Sequence, residues 1–232
     1  MNVRGLIFDY GGTLDTGGRH WGQVLWQAYR QQQVPVSEQL FREAYVHAER
    51  TLGRQPVIQP GFTFYQTLQA KVDLQFQYLR AAGCRVGQST PVVDAAYDVA
   101  RRCTAESREV LQVLHTRYPM VLVTNFYGNM HTVLQEFGLS AFFKEVIESA
   151  VVGIRKPDPE IFALGVKALG LPASEVAVIG DSIDNDIIPA QAIGCQTVWF
   201  KGQGWQGSTP DCPSAACIIE RLSDLFYYTD RH

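Results

Sequence analysis

The sequence predicts an α/β protein with a doubly wound parallel sheet and an inserted all-α segment. Two observations support this fold class. Short continuous apolar runs recur at residues 3–8, 120–123, 176–179 and 197–200, and helix-like sequence separates them. Strands that are buried on both faces and joined through helices predict a mostly parallel sheet with right-handed crossovers. In addition, one long interval after the first run has apolar residues only at helical spacing. Residues 145–147 and 217–219 are weaker candidates for further strands of the same sheet.

The interval between the first two strands is predicted to be entirely helical. Its apolar residues form three stripes at spacings of three and four, typical of amphipathic helices: Trp21, Val24, Leu25 and Ala28; Phe41, Tyr45, Ala48 and Leu52; Phe64, Leu68, Val72, Phe76 and Leu79. A fourth helix is predicted to begin at Thr90-Pro91, because proline is favoured at the first helical position. We expect residues 17–103 to form a lid over the carboxyl ends of the strands, and residues 1–16 and 104–232 to form the α/β core.

Composition limits the classes of partner. The chain has 232 residues, a formal net charge of −3 and no run of Lys or Arg. We therefore expect a small-molecule partner, with no nucleic acid and no membrane. The absence of a signal-like or membrane-spanning segment predicts a cytoplasmic protein. The oligomeric state stays open.

The segment 202–213, rich in Gly, Ser and Pro, is predicted to be a mobile loop. The odd number of cysteines and the lack of a C-x-x-C pair favour reduced thiols: Cys84, Cys103, Cys195, Cys212 and Cys217.

Two segments with candidate site residues follow the predicted strands at 3–8 and 120–123. Asp9 ends the first apolar run and precedes the turn Gly11-Gly12-Thr13. A carboxylate in such a position is suited to act as a covalent nucleophile. Thr124 and Asn125 follow the second run, where a hydroxyl and the next backbone N–H groups could hold phosphoryl oxygens.

Two further segments carry a cation and several acids. Lys156 precedes Asp158 and Pro159, which are predicted to be the N-cap and first residue of a helix and so to fix the position of the lysine. Asp181 begins the turn after the strand at 176–179, and Asp186 lies five residues on. Such an oxygen-rich turn could hold Mg²⁺ together with substrate phosphate and water.

Each segment by itself has a structural explanation. The turn after Asp9 could simply end a strand, Thr124 could cap a helix and Lys156 could be an exposed loop residue. All four segments, however, follow successive predicted strands in chain order. Because the carboxyl ends of parallel strands meet at one edge of a sheet, we expect the four to form a single active site.

The four segments, with Asp9, Thr124, Lys156 and Asp181 in this order, resemble the motif series of the haloacid dehalogenase-like (HAD) hydrolase superfamily. Members of this superfamily have a Rossmann-like fold with an inserted cap. The resemblance covers residues 1–16 and 104–200, and the helical interval is similar in position to the family's small cap. It implies that Asp9 is the nucleophile and forms an aspartyl intermediate, and that Thr124, with the adjoining Asn125, binds the substrate phosphate. It also implies that Lys156 neutralises both Asp9 and the phosphate.

The same resemblance implies a Mg²⁺ site and shows one departure. Asp181 would be a metal ligand supported by Asp186, with Asp9 and the backbone carbonyl of Gly11 completing the protein ligands. Family phosphatases carry at the position of Gly11 an aspartate that protonates the leaving group and then activates water. Loss of a general acid–base group typically lowers the rate by about 10² to 10⁴. Candidate replacements are Asp15, His20, His47 and Tyr10.

We therefore expect a Mg²⁺-dependent phosphatase acting on a small phosphorylated substrate, and alternatives remain open. A 2-haloacid dehalogenase needs no protonated leaving group, but the family's dehalogenases are metal-free, and the intact turn at Asp181 argues against one. Cleavage of a carbon–phosphorus bond would need a cap lysine, and Lys71 is the only lysine in the helical interval. A catalytically impaired core could instead bind a phosphorylated ligand or a protein partner.

Overall fold

The protein contains one six-stranded parallel sheet. The structure, a computed structural model, describes residues 2–202, 215 and 217–229, so the predicted loop at 202–213 lies outside the described residues from residue 203 onward. The strands are β1 (Gly5–Phe8), β2 (Met120–Thr124), β3 (Glu145–Glu148), β4 (Val176–Gly180), β5 (Gln196–Phe200) and β6 (Cys217–Ile219). Their order in the sheet is β3-β2-β1-β4-β5-β6 and every pairing is parallel. The predicted fold class is confirmed, and both weaker strand candidates belong to the sheet.

Strand β1 lies at the centre of the sheet and is completely buried. It pairs with β2 on one side and β4 on the other, with Phe8 opposite Leu122 and Ile179. Successive residues point to opposite faces, so Phe8 packs in one apolar cluster and Ile7 in another. Burial on both faces explains why the strand is a continuous apolar run rather than an alternating pattern.

Four helices follow β1, as the apolar periodicity predicts. They are α1 (Trp21–Gln31), α2 (Glu38–Arg54), α3 (Phe64–Ala81) and α4 (Thr90–Leu114). Every residue of the three predicted stripes is buried except Trp21, which is half-buried. Helix α3 begins with a capping box, in which Thr63 and Gln66 exchange side-chain to backbone hydrogen bonds. Helix α4 begins at Thr90 with Pro91 in its first turn, as predicted.

The predicted domain boundary after residue 103 falls inside α4, which is a continuous helix. The helix packs with α1 and α3, and residues from both its halves, such as Val93 and Leu111, belong to the same apolar cluster as Phe8 of β1. The helix therefore links the two predicted units, and the division between them stays a prediction.

Polar contacts also join the helical interval to the segment after β2. Asn129 donates to the carbonyl of Phe62 at 2.9 Å and to the Thr67 hydroxyl at 2.8 Å. Glu136 accepts from the backbone N–H of Phe64 and, at 2.8 Å, from the hydroxyl of Tyr97. These contacts hold α3 beside the carboxyl end of the sheet.

The remaining helices cover the sheet or end near it. They are α5 (Met130–Glu136), α6 (Ser149–Val152), α7 (Glu160–Leu169), α8 (Ile188–Ala192) and α9 (Leu225–Thr229). A single π-helical turn at Ile183–Ile187 joins β4 to α8. Among the described helices, none combines the length and the apolar character needed to cross a membrane.

Helix α7 approaches the sheet closely at Gly165. A Cβ atom there would lie 2.9 Å from both Ile7 Cδ1 and Val123 Cγ2. We expect Gly165→Val to lower the free energy of unfolding by roughly 1–3 kcal/mol, because overpacking displaces core side chains. Gly53 in α2 has no neighbour within 4 Å of such a Cβ. Chemical denaturation should therefore show Gly53→Val within about 0.5 kcal/mol of the parent, and equal effects of the two substitutions would contradict the packing argument.

Candidate active site

Asp9 is the first residue after β1 and is held at the carboxyl edge of the sheet. Its backbone N–H donates to the carbonyl of Ile179 at 2.9 Å, which extends the ladder between β1 and β4 by one bond. The side chain is only 6% exposed. The hydroxyl of Thr13 lies 3.1 Å from Asp9 Oδ2 and 3.3 Å from Asp181 Oδ1, within donating distance of both. The turn after β1 thus ties the two acids together.

Lys156 joins Asp9 to a second acid. Its Nζ lies 2.6 Å from Asp9 Oδ1 and 2.7 Å from Asp186 Oδ1, and all three side chains are almost completely buried. The position of the lysine is fixed through its backbone, because Asn125 Nδ2 donates to the Lys156 carbonyl at 3.1 Å and Lys156 N donates to Asn125 Oδ1 at 2.9 Å. Asn125 also lines the cavity beside Asp181, and its phosphate-binding role stays a prediction.

The segment after Lys156 differs slightly from the prediction. Helix α7 begins at Glu160, and Pro159 occupies the N-cap position rather than the first helical position. Asp158 still behaves as a capping side chain, because its Oδ1 accepts a hydrogen bond from the Glu160 N–H at 3.0 Å. Helix ends shift by a residue between definitions, so the lysine lies just before a capped helix as expected.

Asp181 lies just before the π-helical turn after β4, and Asp186 lies within that turn. The backbone N–H of Ser182 donates to Asp186 Oδ2 at 3.1 Å, which leaves Oδ1 for Lys156. Asp9, Asp181 and Asp186 each offer a carboxylate oxygen, and these oxygens all lie within 4.8 Å of one another. The structure therefore assembles three acids from two strand ends around one buried cation.

Two glycines make room for these acids. A Cβ on Gly12 would lie 2.4–2.6 Å from the carboxylate of Asp181, and the φ of Gly12 is +96°. A Cβ on Gly180 would lie 2.5 Å from Asp186. Both the close approach and, at Gly12, the backbone conformation require glycine. The sequence shows the glycine turn itself. It does not show that the carboxylate of Asp181 lies against Gly12 and so requires a glycine there.

Burial strongly perturbs the ionisation of the site. It raises the pKa of Asp9 to about 6, although the charge of Lys156 acts to lower it and that of Asp186 to raise it. Burial and repulsion from Asp9 and Asp186 raise the pKa of Asp181 well above its usual value. For Lys156 burial acts to lower the pKa, but Asp186 and Asp9 outweigh it and the net direction is upward. The lysine therefore stays charged.

The other two predicted site positions lie at the same edge. Thr124 is the last residue of β2, is buried, and pairs in register with Glu148. Gly11 lines a cavity of about 180 Å³ together with Gly12 and Asp181. A Cβ on Gly11 would meet nothing within 4 Å. The position of the expected second aspartate is thus open space facing the cavity.

Of the candidate replacements for that acid, Asp15 is engaged elsewhere. It is fully buried and accepts from the Gly12 N–H at 2.7 Å and from Trp21 Nε1 at 2.8 Å. Burial raises its pKa to about 7 despite these hydrogen bonds. Both of its oxygens hold the turn and the start of α1, and Asp15 is not among the residues that line the cavity.

The other candidates differ in their access to the cavity. His20 lines it, but its Nδ1 accepts from the Gly22 N–H at 3.0 Å as the N-cap of α1, and burial lowers its pKa. Tyr10 is completely buried between the rings of Phe64 and Phe126. His47 packs against the ring of Tyr78 at 5.0 Å on the helical interval. Of these three residues, only His20 lines the cavity that Gly11 faces.

The cavity brings in residues that the motifs did not reveal. Trp21, Phe64 and Phe126 give it aromatic walls, and Glu49 and Lys71 from the helical interval line it as well. Glu49 is half-buried on α2 among polar residues, so the sequence carried no signal that it lines a cavity. Only the packing of α2 and α3 over the strand ends shows it.

The sequence profile of the haloacid dehalogenase-like hydrolase family matches residues 3–194. The chain therefore belongs to this family, as the motif series and the parallel sheet suggest.

Two curated relatives are phosphatases. A glyceraldehyde 3-phosphate phosphatase of Pyrococcus abyssi is 43% identical over 85 residues, which are 36% of each chain. The match thus spans about a third of that relative. A phosphoglycolate phosphatase of Pectobacterium atrosepticum is 28% identical over 235 aligned residues, covering 96% of this chain and 91% of the relative. The short match of higher identity and the nearly full-length match of lower identity are thus both to phosphatases.

Solved structures share the fold across the whole chain. A magnesium-bound HAD hydrolase of Bacillus subtilis has a TM-score of 0.61 at 20% identity, covering 97% of this chain and 98% of that one. A 2-haloacid dehalogenase of Pseudomonas syringae has a TM-score of 0.53 at 22% identity, covering 99% of both chains. Because phosphatases and dehalogenases share this architecture, the likeness identifies the fold and does not choose the reaction.

The raised pKa of Asp9 predicts how stability depends on pH. A carboxyl group that binds its proton more tightly in the folded state stabilises the fold at low pH, and this contribution is lost as pH rises from about 4 to about 6. In buffer free of divalent cations, we expect the free energy of unfolding of the parent to fall by roughly 1–3 kcal/mol over this pH window, relative to that of Asp9→Asn. Urea unfolding at several pH values measures the difference. Parallel curves for the two proteins would contradict the assignment.

Proposed function

We propose that this protein is a Mg²⁺-dependent phosphoric monoester hydrolase that acts on a small phosphorylated metabolite with Asp9 as its nucleophile. The observation that carries the proposal is the buried Lys156 ammonium, which bonds Asp9 and Asp186 at once. The phosphatase relatives support the same reaction class. A binding protein would have no need to keep a nucleophile, its neutralising cation and a set of carboxylates together.

The geometry suggests the role of each group. A carboxylate oxygen of Asp9 attacks phosphorus, the ester P–O bond breaks, and the aspartyl phosphate is later hydrolysed to regenerate Asp9. Lys156 offsets negative charge on Asp9 and on the phosphoryl oxygens, while Asn125 keeps the lysine in place. Thr124 and the backbone after it would hold the phosphoryl group. Catalysis of phosphoryl transfer depends mainly on such positioning and charge neutralisation.

The donor set fits a magnesium ion. Hard carboxylate and carbonyl oxygens are its preferred ligands, and Asp9, Asp181 and Asp186 offer oxygens within 4.8 Å of one another. The carbonyl of Gly11 is an additional candidate ligand. When bound, the ion would offset the charge on the transferring phosphoryl group. The clearance that Gly12 gives Asp181 supports the same interpretation, because it keeps the acid at the cavity.

A metal-independent dehalogenase is the weaker alternative. It would lack a reason for the cluster of three acids, in which burial, with repulsion between the acids as a smaller cause, raises the pKa of Asp9 and of Asp181. The helices α1 to α3 would act as a cap that excludes water and selects the substrate, since they supply half of the residues that line the cavity. The division into a core and a cap is part of this proposal.

The role of Asp9 has a direct test. Asp9→Asn should reduce Mg²⁺-dependent phosphate release from p-nitrophenyl phosphate or acetyl phosphate by at least about 10³-fold, because an amide is not a nucleophile. Chelation of divalent cations with EDTA should abolish the activity of the parent. Asp184 is exposed in the π-helical turn and offers a matched control: Asp184→Asn should keep full activity. Metal-independent turnover, or halide release from a 2-haloacid, would contradict the proposal.

The open space at Gly11 predicts a gain of function. Gly11→Asp should raise kcat for alkyl phosphates by at least about tenfold and for aryl phosphates much less, because only a poor leaving group needs protonation. The new side chain meets no neighbour within 4 Å of its Cβ. Gly11→Asn is the matched control, since it has the same size without the acid. Equal gains for both substrate classes, or none, would mean that proton transfer is supplied elsewhere.

A further inference from the structure

Lys71 is a buried cation in the wall of the active-site cavity. It lies on α3, is 9% exposed, and lines the cavity that Gly11 and Asp181 also line. Among the described residues that line this cavity, it is the sole Lys or Arg. A charge removed from water in this way is costly unless partners compensate it. Its position in the same cavity as Gly11 and Asp181 therefore calls for an explanation.

Its partner is Glu49 on α2. Lys71 Nζ lies 2.7 Å from Glu49 Oε1, and the hydroxyl of Tyr127 donates to Glu49 Oε2 at 2.8 Å. Burial acts to raise the pKa of Glu49, but Lys71 and Tyr127 outweigh it, so the net direction is downward. Glu49 is thus ionised, and both of its oxygens are engaged.

The ammonium group is less completely engaged than the carboxylate. It carries three N–H donors, and in the described part of the chain Glu49 is the single acid within ion-pair distance. The ring of Tyr127 lies 5.4 Å from Nζ and adds a cation–π contact. Glu49 also lines a second cleft, of about 820 Å³, that Lys71 does not line, whereas both residues line the cavity at Gly11. The ammonium group of Lys71 therefore keeps hydrogen-bond donors for a ligand in the cavity at Gly11.

The state of Lys71 decides which chemistry it can perform. Burial acts to lower its pKa, but Glu49 and Tyr45 outweigh it and the net direction is upward. A lysine held as ammonium is a poor nucleophile toward a carbonyl group, which argues against an imine and hence against carbon–phosphorus cleavage. A fixed ammonium group is suited to bind an anionic oxygen.

We propose that Lys71 determines specificity by binding a carboxylate on the leaving group, so that the preferred substrates are small phosphorylated hydroxy acids. This inference rests on the proposed phosphatase function. The cavity of about 180 Å³ admits only a small leaving group. The neighbouring charge of Glu49 disfavours a dianion such as a second phosphate, because like charges at short range repel, whereas a singly charged carboxylate can pair with the ammonium.

The test compares two substrates of equal length. Phosphoglycolate carries a carboxylate where ethyl phosphate carries a methyl group. We expect the parent to favour phosphoglycolate in kcat/KM, and Glu49→Gln/Lys71→Met to reduce this ratio at least about tenfold, the scale of a charged hydrogen bond. Replacing both partners avoids leaving a buried charge unpaired. Lys144 is exposed before β3, and Lys144→Met should keep the parent ratio.

Binding is measured separately from turnover. In the Asp9→Asn background, phosphoglycolate should raise the Tm more than ethyl phosphate does, and the Glu49→Gln/Lys71→Met changes should remove the difference. If p-nitrophenyl phosphate is hydrolysed but the parent shows no preference for phosphoglycolate, or the double variant keeps the preference, the inference on Lys71 is overturned and the phosphatase proposal stands. If no phosphate ester is hydrolysed, the proposed function fails, and an equal Tm shift with both ligands rejects the carboxylate site as well.

Discussion

The candidate site depends on one buried ammonium group between two carboxylates. Lys156 lies within 2.7 Å of both Asp9 and Asp186, and three separate segments meet through these two contacts. Without the cation, burial would leave like charges facing each other at the centre of the sheet edge, which is strongly unfavourable. The amide of Asn125 matters for the same reason, because it fixes the backbone from which the lysine extends.

Among the described residues, the site sets one lysine against three acids and has no acid at the position of Gly11. Gly11 leaves open space where an acid would stand, and Asp15, the nearest carboxylate in sequence, is bound to Gly12 and Trp21 instead. An enzyme with this arrangement is suited to substrates whose leaving group needs little assistance or is held by other contacts. In our proposal, Lys71 in the cavity wall provides a contact of the second kind.

Much of the fold was predictable because its patterns are local. Strands buried on both faces give continuous apolar runs, and amphipathic helices give stripes such as Phe64, Leu68 and Val72, so both could be identified by period. The domain boundary predicted after residue 103 does not coincide with the end of a helix or strand, because α4 runs through it without a break. The role of Asn125 was also hidden. A residue that clamps the backbone of another loop carries no signal in its own neighbourhood.

The sequence by itself determined the identity and order of Asp9, Thr124, Lys156 and Asp181 at strand ends, and hence that they lie at one edge of a parallel sheet. The tertiary structure decided which of them touch, which raise or lower one another's pKa, and which glycines give them room. It alone brought Lys71 and Glu49 into the cavity. The physical reason is that strand and helix periods are encoded over a few residues, whereas burial, ion pairing and clearance arise between segments that are far apart in the chain.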